Sequence, residues 1–489
     1  MARLLRLPDR YPSGTKAALF LLAFALLLAG ALRLPPRHLA YADQSLYATT
    51  AWDLLTHGVY SDGIFDKVDS AGTVPPPGMF LGPVYPMLLA GLMRLDPALA
   101  EAAGCVVRTP VIADIGRLCP AYGGLAGPLN MAFLAGAVTL LFASARRLTG
   151  SGAVAALAAL LAMGSLWIYL RFLALAMTES LALLLFAALL HGLVRTLGGG
   201  GWRAAGVAGV ALGLLVLTRP SHVALVPVVA GGLAVLALRA RGGVARARKG
   251  LILLAFGLGL LASTGPWVAR NAAVLGRPAL TAGYGPAVLA ERLAYNDMTW
   301  GEWARAFVFW LPDVGDDWAR GMFGAAAVDR LDWNLPGSFY FIGQDRRQAL
   351  LAQPDGADAA YTTLLREQVF GNPVKHGAVT LALAWCGVWI GRNWMIGVLV
   401  LAPFGLMAAW RTGRLRPVLL FMAPAWVMLF VHAGASVNQE RYNLALTFGF
   451  SLLAAWGLLA LLARRFPALQ ASFPGVPGAG STTAILGRE

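Results

Sequence analysis

From Ala17 through Leu32 no residue is charged, and comparable apolar runs recur along most of the chain. A backbone in hydrocarbon must satisfy its own N–H and C=O groups, which leaves helices or closed barrels. These runs are Leu- and Ala-rich without period-two alternation, so helices are the reading. The 489 residues are 58% hydrophobic and 13% charged, against about 25% charged for a soluble domain. The bilayer is therefore the main solvent. The net charge of +15 does not point to nucleic acid, because most basic residues stand in short clusters between apolar runs. The first run, Lys16 to Leu32, meets Pro35-Pro36 and is followed by no small-residue cleavage site. It reads as a retained helix rather than a removable signal.

The basic clusters orient the spans. Arg3, Arg6, Arg10 and Lys16 precede the first, and Arg146-Arg147 end the second unambiguous one near Pro128 to Leu148. Both sites fall inside by the positive-inside rule, which puts 34–127 outside. Further spans are expected near 152–170, 173–193, 204–218, 222–238, 250–267, 394–410, 417–433 and 443–463. The apolar runs 79–95 and 377–391 are short and read as interfacial, giving about ten spans, or about twelve if both cross. Residues 1–267 form an N-terminal membrane region, 268–392 an outer loop region, 393–466 the last spans, and 467–489 a Pro/Gly/Ser-rich disordered tail. Both termini are then cytoplasmic. Acids gather on the outer side, so any chemistry belongs there.

The stretch from Tyr41 to Tyr60 sets a carboxylate, Asp43, where the chain leaves the first span. An amphipathic helix starts there and stops at His57-Gly58. Asp43 is either an N-cap or a catalytic group. Arg171, Arg219, Arg270 and Arg441 lie near the outer ends of spans, against the positive-inside preference. Each could snorkel or pair with Glu179 or Glu440. As a set they suit an anionic ligand such as a lipid phosphate. Asp62, Asp66 and Asp69 are potential ligands of a divalent cation, or the face of a solvated turn. Cys105 and Cys119 share the outer loop and could form a disulfide in an oxidising compartment, or stay as thiols. There is no P-loop, zinc spacing, G-x-S-x-G or dinucleotide fingerprint, so no certain cofactor is implied.

In chain order, Asp43 with Tyr47, Gly58-Val59-Tyr60, Pro76-Pro77-Gly78, Arg146-Arg147, Thr178-Glu179-Ser180, Pro266-Trp267 with Arg270-Asn271, Gly276-Arg277 and Arg441-Tyr442 form a layout. It resembles the GT-C glycosyltransferases, in the aminoarabinose transferase and protein mannosyltransferase branch, over about residues 15 to 465. The resemblance implies an all-α polytopic GT-C fold with interfacial helices in a bacterial inner membrane. It implies transfer of a sugar from a polyprenyl phosphate to a glycan, lipid or protein acceptor on the extracytoplasmic face. Asp43 would be general base, or orient the acceptor. Arg270, Arg441, Arg171 and Arg219 would hold the donor phosphate. Tyr47, Glu179, Tyr442 and Lys67 would contact substrate. Two positions depart from the family: Gln44 stands where many relatives have a second acid, and Val74-Pro75 where a Lys commonly precedes the double proline, Lys67 lying upstream. A lipid-linked solute carrier and a ligase or polymerase using a diphosphate-linked donor are the alternatives.

Overall fold

The structure, a computed structural model, describes residues 7–63, 74–109, 111, 114–240, 242–353 and 357–466. Lys67, Asp66, Asp69 and the expected tail 467–489 lie outside these. Among the described residues the regular elements are helices, and one isolated antiparallel bridge joins Arg37 to Tyr122. Among the described residues eight helical stretches are long and apolar enough to cross a membrane.

Among helices of nine or more residues, the first ten are α1 (Pro12–Ala31), α2 (Gln44–His57), α3 (Val84–Met93), α4 (Pro97–Arg108), α5 (Ala126–Thr149), α6 (Gly152–Ile168), α7 (Glu179–Arg195), α8 (Gly201–Thr218), α9 (Leu225–Leu238) and α10 (Gly243–Leu275). Five shorter ones follow: α11 (Tyr284–Leu293), α12 (Trp300–Phe309), α13 (Gly315–Phe323), α14 (Phe339–Leu351) and α15 (Pro373–Val388). The last three are α16 (Arg392–Arg411), α17 (Leu415–Ala435) and α18 (Leu446–Arg465). The run 79–95 contains only the 10-residue α3, and 377–391 lies within or just after the 16-residue α15. Both fall short of the roughly 20 residues a crossing needs, and so does the 17-residue α6, where a span was expected at 152–170.

Residues Glu179–Thr218 make one helical stretch of 40 residues, but Gly198 and Gly199 leave helical geometry. Gly199 adopts φ +95°, which glycine reaches without steric cost. Beyond this bend α7 and α8 lie side by side, since a Cβ on Gly192 would meet that of Ala208 at 2.8 Å. α8 and α10 approach more closely still. A Cβ on Gly209 would fall 2.1 Å from Phe256 O, and one on Gly259 2.2 Å from Gly206 O. Small residues at such crossings allow the backbone approach that drives helix association in lipid.

The chain divides into two compact units. One holds everything to Leu280, Gly397–Met422 and the segment from Thr447; the other holds Thr281–Ile396 and Ala423–Leu446. The boundary differs from the expected 267 because α10 does not stop there. It continues through Pro266 to Leu275 and ends on Gly276 at φ +66°. Trp267 Nε1 then donates to Leu280 O at 2.8 Å and Asn271 Nδ2 to Ala279 O at 2.8 Å, folding the next residues back onto the helix. The expected 393–466 segment is likewise shared between the units.

In the first unit α2, α3 and α4 bury an apolar cluster that includes Leu39, Ala48, Leu89, Leu99 and Ile115. Cys105 and Cys119 are joined, S–S 2.08 Å. Closing a loop of that size stabilises by about 3 kcal/mol in the chain-entropy account. Asp96 caps α4 and also accepts from Tyr122 Oη at 2.7 Å and Leu125 N at 2.8 Å. In the second unit Arg292 is fully buried. It donates to Ala433 O at 2.6 Å, Asn296 Oδ1 at 3.1 Å and Thr380 Oγ1 at 3.2 Å, and burial lowers its pKa to about 9. Several of the acids there are engaged in holding the fold. Glu302 closes a capping box with Thr299 and pairs with Arg330 at 3.2 Å, and Asp332 meets Arg320 at 2.6 Å.

Two outcomes are expected. Gly209→Ala lowers the thermal midpoint in detergent, at a cost of about 1–3 kcal/mol for forced backbone displacement. Gly257→Ala on the facing α10, with open space around it, leaves it unchanged or adds up to about 1 kcal/mol in helix propensity. A non-reduced peptide map returns a 105–119 linked pair; two freely alkylated thiols would contradict the bond.

Candidate active site

The start of α2 is built by Gln44 and Ala42. Gln44 is buried; its Nε2 donates to Tyr41 O at 3.0 Å and its Oε1 accepts from Ala176 N at 2.9 Å. It pins the turn before α2 to the loop before α7, so this side chain has a holding role where a second acid would have an acid–base one. Ala42 sits at φ +56°, a conformation costing a non-glycine residue on the order of 1–3 kcal/mol. The strained turn presents Asp43 at the N-cap position, yet its carboxylate makes no capping hydrogen bond. The N-cap reading is therefore not realised by the side chain.

Beside this turn lies a cleft of about 250 Å³. Its apolar side is the last turn of α1, with Leu28, Ala31 and Leu32; its polar side includes Arg37, Tyr41 and Arg171. Asp43 stands in the chain between two lining residues, Tyr41 and Gln44. The bridge between Arg37 and Tyr122, with Tyr122 N donating to Arg37 O at 2.9 Å, fixes one wall. The Arg37 guanidinium lies over the Tyr41 ring at 5.0 Å and that of Arg171 over Phe172 at 4.9 Å. Among the described residues neither has a carboxylate partner. Arg37 was not legible as a site residue; the signal available was an arginine directly after Pro35-Pro36.

A second cluster forms where the chain returns along α2. Gly58, at φ +70°, ends the helix. Ser61 Oγ donates to the buried Asp53 at 2.5 Å, and Gly63 comes against Thr49 and Thr50. Thr50 is seven residues from Asp43, two turns along the same helix face and about 10 Å of rise. Asp62 Oδ1 accepts from Phe80 N at 2.7 Å. Burial raises the Asp62 pKa above its usual value; the Phe80 and Met79 amides and Arg270 oppose this. Burial likewise holds the Tyr60 phenol well above 10. Arg270 ties the cluster to α10: Nη1 donates to Gly78 O at 2.7 Å, Nη2 to Tyr60 O at 3.1 Å, and the guanidinium stacks on Trp267 at 5.0 Å.

The other expected residues sort as follows. Arg219 pairs with the buried Glu179 at 3.5 Å, so the pairing reading holds for these two. Tyr47 meets Tyr85 edge-on at 5.7 Å, within the apolar cluster. Arg441 and Tyr442 belong to the second unit, where Arg441 Nε donates to Gln439 Oε1 at 2.8 Å and its guanidinium lies over the Tyr442 ring at 5.2 Å. Asp53 is a buried acid that the helical pattern of α2 does not single out. No group of three or more His, Cys, Asp or Glu able to hold a metal occurs among the described residues. A search against family models finds no match, and a comparison with curated proteins finds none either.

Two measurements check this geometry. A raised folded pKa means the stability tied to Asp62 is full below the unfolded carboxyl value, about 3.9, and is lost as pH rises through the folded value. Asp62→Asn, which keeps the acceptor for Phe80 N, therefore flattens the fall in stability between those two values. Gly78→Ala places a Cβ 2.0 Å from Asp62 Oδ1 and disrupts the Arg270 contact, lowering the melting temperature more than Gly91→Ala, where space is open.

Proposed function

We propose that this chain is a membrane glycosyltransferase of the GT-C kind, using a polyprenyl-phosphate sugar on the extracytoplasmic face of a bacterial inner membrane. The observation that carries the reading is the cleft beside the turn that carries Asp43, lined by its neighbours Tyr41 and Gln44. It combines the apolar end of a candidate membrane span with two guanidiniums that no described carboxylate neutralises. That division suits an amphiphile, with hydrocarbon against Leu28 and Leu32 and phosphate against Arg37 and Arg171. The disulfide supports an oxidising compartment for this loop.

In this mechanism Asp43 takes the proton from an acceptor hydroxyl. The hydroxyl oxygen bonds to the anomeric carbon as the bond from that carbon to the phosphate oxygen breaks. The electron pair leaves with the polyprenyl phosphate, whose charge the arginines hold in a preorganised setting. One displacement inverts the anomeric centre. Arg37 and Arg171 serve the phosphate better than Arg219 and Arg270. Arg219 is committed to Glu179, and Arg270 to the carbonyls of Gly78 and Tyr60. The acceptor is a glycan, lipid or protein hydroxyl.

The assay uses purified protein, a radiolabelled polyprenyl-phosphate sugar and a pool of membrane acceptors. Asp43→Asn is expected to cut turnover by about 10²–10⁴-fold. Arg37→Ala and Arg171→Ala are expected to raise the KM for donor by roughly tenfold each, the scale of one charged hydrogen bond. Undiminished turnover in Asp43→Asn would refute the base. Recovery of only intact donor, moved across the membrane, would favour a carrier.

A further inference from the structure

At the opposite end of the same bundle lies a second and larger cavity, about 570 Å³. It opens where α1 begins and where α5 and α7 end, and its lining includes Lys16, Arg146, Arg147, His191 and Arg195. Arg146 pairs with Asp9 at 3.6 Å. Lys16, Arg147 and Arg195 have no carboxylate partner among the described residues. Four cations against one carboxylate leave a local excess of about three charges.

Orientation alone does not require this arrangement. Basic residues that only set topology can extend separately into water. Nor are these cations used up as helix caps: the Leu148 carbonyl at the end of α5 is taken by Arg414 Nη1 at 2.9 Å, and Arg146 O accepts from Gly150 N at 2.8 Å. The cavity also reaches below the cationic rim. Phe142, Ala143 and His191 line it one turn inward from Arg146 and Arg195, about 6 Å deeper by helix rise. His191 Nδ1 meets Ser144 Oγ at 3.1 Å, while the serine hydroxyl donates to Leu140 O at 2.8 Å. The imidazole nitrogen is therefore the donor in that pair, which fixes the ring. A cationic rim over a partly apolar floor, between membrane helices at their basic end, is the setting in which anionic lipid headgroups bind.

We infer that this cavity is a specific site for a phosphate-bearing anion, supplied by an anionic phospholipid headgroup held by Lys16, Arg147 and Arg195. It is separate from the outer cleft, and binding here holds whatever reaction that cleft serves.

The test uses the full chain in detergent, titrated with short-chain phosphatidylglycerol, short-chain phosphatidylcholine and inorganic phosphate. Bound stoichiometry is read by native mass spectrometry and the melting temperature in parallel. Phosphatidylglycerol is expected to bind one equivalent at least tenfold more tightly than phosphatidylcholine, with affinity falling as salt rises. Lys16→Gln/Arg147→Gln/Arg195→Gln is expected to lose that preference. Lys16→Arg/Arg147→Lys/Arg195→Lys keeps charge and fold and is expected to retain most of it. Inorganic phosphate displacing the lipid at equal concentration would overturn the lipid source. Equal binding of the two lipids, or a neutralised variant that is folded by circular dichroism and binds as wild type, would overturn the site.

Discussion

Arg270 reaches from one long helix to two carbonyls, Tyr60 O and Gly78 O, that flank residues 64–73 in the chain. Those carbonyls belong to irregular backbone, which near a membrane must find its donors within the protein. A guanidinium suits this task because it presents several N–H groups in one rigid plane and keeps its charge. The contact fixes the return of the chain along α2. That return in turn brings Ser61 to Asp53 and Gly63 to Thr49 and Thr50. Glycine at position 78 is a condition of the same contact, since a Cβ there would sit inside the Asp62 carboxylate. An arginine that sequence position suggested for a phosphate thus acts on the fold first.

The two ends of the bundle use cations differently. At the end near Asp43 Arg219 answers a buried carboxylate and Arg270 answers carbonyls, so only Arg37 and Arg171 line the cleft without an acidic partner among the described residues. At the opposite end the excess is left standing around a cavity. Burial decides which of these positions is structural. Glu179 is 4% exposed, and an ionised carboxylate so placed needs its counter-charge close by. Arg37 and Arg171 are exposed and lie over aromatic rings instead.

The membrane architecture was legible because hydrocarbon admits so few backbone solutions. The runs 17–32, 128–148 and 443–463 could hardly be anything but helices, and α2 was bounded correctly by the Gly58 stop. What could not be read was where a helix outlasts its apolar run: α10 continues past 267 because Trp267 and Asn271 find carbonyl acceptors at Leu280 and Ala279. Nor could the sequence divide the outward arginines into paired and unpaired, since Glu179 and Arg219 stand forty residues apart and meet only after the glycine bend at 198–199. Asp53 was hidden for a similar reason. Its partner Ser61 lies beyond the helix stop, and helical periodicity carries no information about a chain that doubles back.

α10 runs unbroken for 33 residues, about 50 Å at 1.5 Å per residue. The hydrocarbon slab is only about 30 Å thick. Such a rod either leans or stands proud of the lipid, and its last turns carry Trp267, Arg270 and Asn271. A thinner membrane would increase the hydrophobic mismatch and press that strut over, carrying with it the two carbonyls, Tyr60 O and Gly78 O, that Arg270 holds.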